Sequence, residues 1–389
     1  MRKISANYIF PVNSSPVKNG IVTLNDDNVI IQIEENPEQK EYSGVEFYNG
    51  ILVPGFVNCH LHLELSYLKN TISKHKGITE FIKEINAGKT LHNDIKAINI
   101  ADFELQKNGI VAAGDIINNN CHTDIKKNSN VYYHNFIEMV GYKDFDELYK
   151  HVNDLTITLK NNKLPYSVTP HSFYSLTKNT LQTVFSNASN DNSILSVHNQ
   201  ESKEEAELFN NKSGKLYEFL NLLTKNHTLW NSGNTHHFEF LADVLEPFSH
   251  LLLIHNTYTT RSDIELIKKH VNNLFWVICP TSNLFIENKL PDINIFLENN
   301  QIVALGTDSL ASNDSLDILK EIKVILNHFP NISFEEALSW ATINGAKALR
   351  IQDKFGTLEK GKKPGINLIN NFDFTNFKPS SESRINVII

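Results

Sequence analysis

Eight short apolar runs, each followed by a stretch of different periodicity, constrain this chain more than any other feature. The runs are "GFVNCH", "GIVAAGDI", "VYYHNFIEMVG", "YSVTPH", "ILSVH", "LLLIH", "FWVICP" and "IVALGTD". They are short, rich in β-branched and aromatic residues and bounded by turn formers, so they read as buried strands. The segments between them include "ITEFIKEI", "DFDELYKHVNDLTITL", "ESKEEAELF", "HFEFLADVLEPF", "RSDIELIKKHV" and "SLDILKEIKVILNHF". Their apolar residues recur at helical spacing with Lys and Glu on the opposite face. Strand and helix alternating over residues 53–355 predict an α/β fold, a (β/α)8 TIM barrel. A doubly wound open sheet is the alternative, but no GxGxxG follows any run, so a dinucleotide site lacks support.

Residues 1–52 have another texture, with β-branched alternation broken by Gly, Asn and Asp in "ANYIFPV", "GIVTLND", "NVIIQIEE" and "VEFYNGILVP". The same texture returns in "GKKPGINLINNF" and the last five residues "INVII". Both ends, 1–52 and 356–389, are therefore expected to build one small discontinuous β-sandwich domain. Residues 314–351 read as a last barrel helix followed by a further helical pair.

Charge and cysteine content narrow the partners. With 36 Lys and Arg against 44 Asp and Glu, the net charge of −8 argues against nucleic acid or an anionic membrane. Three cysteines (Cys59, Cys121, Cys279) without a CxxC point to a reducing, cytoplasmic setting. The start "MRKISANYIFPVNSS" lacks the apolar core of a signal peptide. No apolar run approaches the roughly 18 residues that span a membrane.

Histidines mark the ends of the runs. In "FVNCHLHLEL", side chains at i and i+2 of a strand share a face, so His60 and His62 converge while Cys59 and Leu61 point away, towards the helices. His171, His198, His255 and Asp308 also close apolar runs, and in a barrel the catalytic groups come from that rim. Any one of these histidines reads equally well as a satisfied buried imidazole, but five with an Asp read as a metal site. His75, His92, His151, His227, His270 and His328 sit in polar or helical stretches and are expected to be solvated; His236 and His237 open a helix. Imidazoles with one carboxylate suit zinc or ferrous iron. His60, His62, Asp308 and either His255 or His198 would leave a position for water, whose pKa falls from about 15.7 towards 7 on such an ion. Asp308 suits the proton acceptor, and Glu201 in "HNQES" the donor to a leaving group; its alternative is a helix-start residue. Glu64, Tyr67, Phe173, Tyr174 and Glu138 lie on rim loops as candidates to hold a ring and its substituents, with local packing as the alternative for each. Cys279 reads equally as pocket lining or packing. Residues 66–92, with Gly77 and Gly88 as hinges, form the expected lid.

These motifs resemble the amidohydrolase superfamily over nearly the whole chain. "VPGFVNCHLH" is similar to its strand-1 motif, "SVHNQES" to its strand-5 His with a catalytic Glu, "LLIHNTYTT" to its strand-6 His and "ALGTDSLASND" to its strand-8 Asp. "GTLEKGKKPGINLI" is similar to the return strand of its composite β domain. The resemblance implies one divalent metal, zinc or alternatively iron, held by His60, His62, His198, His255 and Asp308. It implies Glu201, Asp308 and His255 as catalytic residues, with Glu201 shuttling protons to a ring nitrogen, and His171 as a substrate contact. The absence of lysine from "YSVTPHS" implies one metal where binuclear members carry a carbamylated lysine. Within the superfamily the chain resembles the chlorohydrolase and aminohydrolase group, and "HLELS" with "GITEFIKEI" is similar to aminofutalosine deaminases. "TDSLASND" is similar to S-adenosylhomocysteine deaminases. The implied activity is hydrolytic deamination of a purine-type heterocycle, a small-molecule substrate, by a possible homodimer. The alternatives are a chlorohydrolase or cyclic-amide hydrolase with the same centre, or a non-catalytic scaffold; scaffold relatives lose ligands, and here all remain.

Overall fold

The structure is a computed structural model and describes residues 1–35, 43–88, 94–119, 122–142, 145–224, 244 and 248–389. The helix expected in "HFEFLADVLEPF" lies mostly outside the described residues, as do residues 89–92 of the expected lid and His92, Cys121, His227, His236 and His237.

The amino-terminal run of strands comprises β1 (Arg2–Ile9), β2 (Val17–Lys18), β3 (Ile21–Leu24), β4 (Ile30–Glu34) and β5 (Val45–Pro54). All eight apolar runs are strands: β6 (Phe56–Leu61), β7 (Ile110–Ile117), β8 (Tyr132–Met139), β9 (Tyr166–Pro170), β10 (Leu195–Asn199), β11 (Phe248–His255), β12 (Val271–Ile278) and β13 (Ile302–Leu305). The chain ends in β14 (Ile366–Ile369), β15 (Phe372–Asp373), β16 (Lys378–Pro379) and β17 (Ile385–Val387). Helices α1 (Ile78–Gly88), α2 (Ile95–Lys107), α3 (Thr123–Asn128), α4 (Phe145–Asn161), α5 (Lys178–Asn190), α6 (Lys203–Asn211) and α7 (Gly214–Thr224) follow the first strands. After β11 come α8 (Arg261–Ile267), α9 (Pro280–Glu287), α10 (Ile293–Glu298), α11 (Ile318–His328), α12 (Phe334–Trp340) and α13 (Ile343–Ala348). The last three are the helix and further pair expected over 314–351.

Strands β6-β7-β8-β9 form one four-stranded parallel sheet and β10-β11-β12-β13 another. The two meet at both edges. At one, His198 N–H donates to the His171 carbonyl at 2.9 Å; at the other, Thr307 and Asp308 N–H donate to the His60 carbonyl at 3.2 and 3.0 Å. Alternation then sorts the side chains. Val57, Ala112, Phe136, Ile254, Val277 and Ala304 meet between the sheets, closed off by Ala346, Leu349 and Phe355. Their neighbours Phe56, Ala113, Ile137, Leu253, Trp276 and Leu305 pack outward on helix residues such as Leu105, Ile264, Phe296 and Ile322.

Cys59 corrects the sequence reading: it lies between the sheets, not on the helix side. The register of β6 on β7 shifts between Asn58 and Leu61, so strict alternation breaks at this point. Cys59 and His60 no longer face opposite layers, whereas Leu61 packs outward as expected.

Two helices show how their caps fix them, one that composition conceals and one that it predicts. The segment "KNTLQTVFSNASN" is poor in strong helix formers, yet Thr177 caps α5 by accepting from Thr180 N–H, and Leu181, Val184, Phe185 and Ala188 bury one face. Helix α8 begins with a reciprocal capping box between Thr260 and Asp263.

The two chain ends share a sheet ordered β17-β14-β5-β1-β3-β4. Its apolar face, with Ile4, Val22, Leu24, Leu52, Leu358, Ile366 and Leu368, has a core of its own. Strand β5 runs on to Pro54, and Gly55 leads directly into β6.

Trp276 anchors the outer layer: it is fully buried, its ring lies 5.0 Å from Phe296 and its indole N–H donates to Gln301 at 3.1 Å. Trp276→Ala is expected to cost about 3–5 kcal/mol of stability, read from the shift in denaturant midpoint.

Candidate metal centre and its cavity

The rim histidines come together. His62 Nε2 lies 3.3 Å from His198 Nε2, and Asp308 Oδ1 is 3.6 Å from both His60 Nε2 and His62 Nε2. The His60 ring centre is 4.8 Å from that of His198 and 5.6 Å from that of His255. Ligand atoms of His60, His62 and His198, and of His60, His255 and Asp308, form two groups spanning no more than 4.8 Å.

Each is fixed by local structure. His198 Nδ1 donates to the His171 carbonyl at 2.8 Å, which leaves Nε2 with its lone pair turned to the centre. The Asp308 carboxylate accepts from Ser282 at 2.7 Å and Ser312 at 2.5 Å. Gln200, His255, Asn256 and Asp308 all have left-handed backbone, with φ of 44°, 73°, 57° and 57°. Such a conformation costs on the order of 1–3 kcal/mol per residue and persists where surrounding bonds enforce it. At Asn256 those bonds are visible: its N–H donates to the Asn199 carbonyl at 3.0 Å and its amide to Leu253 and Val277. Gly306 permits the close approach of β13, since a Cβ there would lie 3.0 Å from His60 Cβ and 2.9 Å from Cys279 Sγ.

The residues present fit a metal ion. Both ring nitrogens of His60 are buried without a hydrogen-bond partner, a costly state for a neutral imidazole unless an ion takes the lone pair. Burial pushes His60, His62, His198 and His255 below the ordinary histidine range, His255 to about 4. They are therefore neutral, the ligating form. Burial opposes ionisation of Asp308, but His60, His62 and His255 outweigh it and hold the carboxyl well below its usual range. Nitrogen donors with one carboxylate oxygen suit a borderline divalent cation.

Glu201 lies beside this group, its Oε1 3.7 Å from His255 Nε2. Burial, then the Asp308 charge, push its pKa well above the ordinary value, which favours the protonated form. The helix-start role belongs to other residues: Ser202 caps α6, and Glu205 accepts the Gln200 and Glu201 N–H groups at 2.9 and 2.8 Å.

Above the centre opens a cavity of about 820 Å³. His171, Glu64, Glu138 and Tyr174 are on its wall with His62, His198, Glu201, His255 and Asp308. The His171 ring stacks on His198 at 4.5 Å. Phe173 is not on the wall: it is fully buried, stacked 6.3 Å from Phe185 of α5, because the chain after β9 turns His171 and Tyr174 one way and Phe173 the other. Tyr67 packs against the core and Cys279 between the sheets, both away from the cavity.

The sequence reading missed part of this wall. Asn118 donates its N–H and amide to Glu64 at 3.0 and 3.1 Å and its amide to Glu138 at 3.0 Å. It directly follows β7, so the strand-end rule applied to the histidines would have found it. His151, expected to be merely solvated, faces the cavity and hydrogen-bonds the Asn118 carbonyl at 3.1 Å. Phe81, Ile82 and Ile85 of α1 with Phe219, Leu220 and Leu223 of α7 form an apolar side; nothing in sequence distinguishes a helix face turned to a cavity from one turned to a core.

Known proteins resemble this chain in sequence and fold. A Helicobacter pylori adenosine deaminase is 29% identical over 339 residues, covering 83% of this chain and 79% of that protein. The crystal structure of Helicobacter pylori aminofutalosine deaminase in complex with methylthio-coformycin superposes with a TM-score of 0.84 at 25% identity, covering 97% of this chain and 94% of that one. An adenosine deaminase from Xanthomonas campestris with bound zinc shares the fold, with a TM-score of 0.70 at 18% identity over 95% of this chain and 84% of that one. The family described as "Amidohydrolase family" matches residues 51–386, nearly the whole length and every converging residue described above. The chain belongs to the amidohydrolase family.

Proposed function

We propose that the protein is a metal-dependent aminohydrolase that deaminates an adenine-bearing nucleoside. Water adds to the ring carbon that carries the exocyclic amine, the carbon–nitrogen bond breaks, and ammonia leaves. The observation that carries this reading is the meeting of four buried histidines, Asp308 and Glu201 beside one cavity, with burial favouring neutral histidines and a protonated Glu201 while Asp308 is held towards its ionised form.

His60, His62, His198, His255 and Asp308 would hold the ion. A divalent cation bound there supplies the positive charge that makes water nucleophilic near neutral pH. Asp308, held by Ser282 and Ser312, takes the proton of the attacking water. Glu201 delivers its proton to the ring nitrogen and so makes the ring carbon electrophilic; opposite pKa displacements of the two carboxyls match the two roles. His171 and Tyr174 orient the ring, and Glu64 and Glu138 its polar substituents. Zinc is the proposed ion, supported by the nitrogen-rich donor set and the zinc in the Xanthomonas relative.

The same reading extends to architecture and setting. We take β6 to β13 as one closed (β/α)8 barrel, supported by the hydrogen bonds at both sheet edges, and residues 1–52 with 356–389 as a composite β-sandwich domain around it, supported by their shared sheet. A cytoplasmic enzyme that works on a small heterocycle is consistent with the buried free thiols of Cys59 and Cys279 and with the methylthio-coformycin held by the Helicobacter relative.

The test is a panel of adenosine, 5'-deoxyadenosine, guanine, cytosine and a chloro-s-triazine, read for ammonia and for chloride. Ammonia from the adenine nucleosides, lost on chelation and restored by about one equivalent of zinc, is the expected result. Chloride release alone, or a protein that binds no metal after reconstitution, overturns the proposal.

A further inference from the structure

A buried ion pair sits on the outer side of β7, away from the cavity. Asp115 is fully buried and forms an ion pair with the buried Lys126 of α3, with His122 Nε2 3.7 Å away. Lys126 also donates to Asn135 of β8 at 2.5 Å, and Asn135 to the Pro165 carbonyl at 2.9 Å. Such pairs rarely add net stability, because desolvation offsets their attraction. Another use is visible here: the second Asp115 oxygen accepts the Leu63 N–H at 2.8 Å.

Leu63 follows His62 and opens the 3-10 turn Leu63–Leu68, which His62 does not cap with its side chain. The β6–β7 register shifts between Asn58 and Leu61, and its last pair joins Leu61 to Asp115, so no strand pairing reaches the chain after His62. A charged acceptor reaching across from β7 supplies the missing constraint. Burial works against that charge, but Lys126 and His122 hold the Asp115 carboxyl down at about 2. Three residues on, just past the end of the same strand, Asn118 N–H donates to Glu64.

We infer that Asp115, paired with Lys126, is a positioning residue that fixes the turn carrying His62 and thereby sets the affinity of the metal centre. The inference rests on the metal reading of that centre.

Paired neutralisation tests it without leaving a lone buried charge. D115L/K126M removes the ion pair and the acceptor for Leu63; D115N/K126M removes the charges but keeps an oxygen for Leu63. Zinc affinity is measured on the metal-free proteins by competition with a chromophoric chelator, and ligand geometry by the visible spectrum of the cobalt(II) form. D115L/K126M should bind zinc roughly 10–100-fold more weakly with an altered cobalt spectrum, at a metal-free melting temperature close to that of D115N/K126M. D115N/K126M should keep most of the affinity. Wild-type affinity and spectrum in D115L/K126M, equal losses in both variants, or failure of both to fold would each overturn the positioning role. A wild-type chain that binds no zinc overturns the metal reading and this role together, whereas normal wild-type binding with unaltered variants overturns the role alone.

Discussion

Asp308→Asn should lower kcat/KM by at least ~10³-fold while leaving the fold intact. Proton transfer by a positioned base contributes roughly 10²–10⁴-fold, and disturbing a ligand weakens a metal centre by a further ~10–100-fold. Asparagine has nearly the shape of aspartate but no charge; with its amide oxygen accepting from Ser282 and Ser312, as a single carboxylate oxygen now does, an NH2 donor replaces the oxygen that faces His60 and His62. The charge is also what His60, His62 and His255 surround: with burial opposing it, the carboxyl still sits well below its ordinary range. Steady-state kinetics at saturating zinc separates the two contributions, because excess metal restores occupancy but not the base. A loss below tenfold under those conditions would remove Asp308 from the chemistry.

Glu201→Gln should cut kcat by roughly 10²–10⁴-fold with metal content unchanged, since Glu201 stands beside the proposed ligand His255 and is not counted among the ligands. Glutamine fills the same space on the cavity wall but has no transferable acidic proton. The loss should fall on kcat more than on KM, because the protonated nitrogen develops after the substrate is bound. Metal analysis beside the kinetics decides the matter: loss of zinc together with activity would make Glu201 part of the centre, and unchanged kcat would leave the proton without a donor. The two variants differ in their expected metal content, which separates base and ligand from acid.

Much of this was legible in residue order. The eight apolar runs are strands because β-branched residues in short segments bounded by Gly, Asn and Pro have few other ways to bury themselves. The position rule, polar residues at the end of each run, located His60, His62, His171, His198, His255 and Asp308, and those residues do converge. It would also have located Asn118. The rule failed where the backbone leaves regular geometry. Cys59 faces the inter-sheet cluster because a register shift interrupts alternation beside it, and Phe173 turns into the helix layer because the loop after β9 has no fixed period. Helix α5 escaped notice because its Asn and Ser content hides a buried stripe that Thr177 caps.

Residue order by itself determined the alternating strands and helices, the acidic surface and the chemical types gathered at the strand ends, because periodicity and residue type are local properties. Only the tertiary structure decided which of those residues share one cavity, that the Glu201 and Asp308 carboxyls are pushed in opposite directions, that Asp115 bonds the turn after His62, and that α1 and α7 supply an apolar wall. Burial and the charges that meet across the fold set those outcomes, and both depend on residues brought together from more than a hundred positions apart.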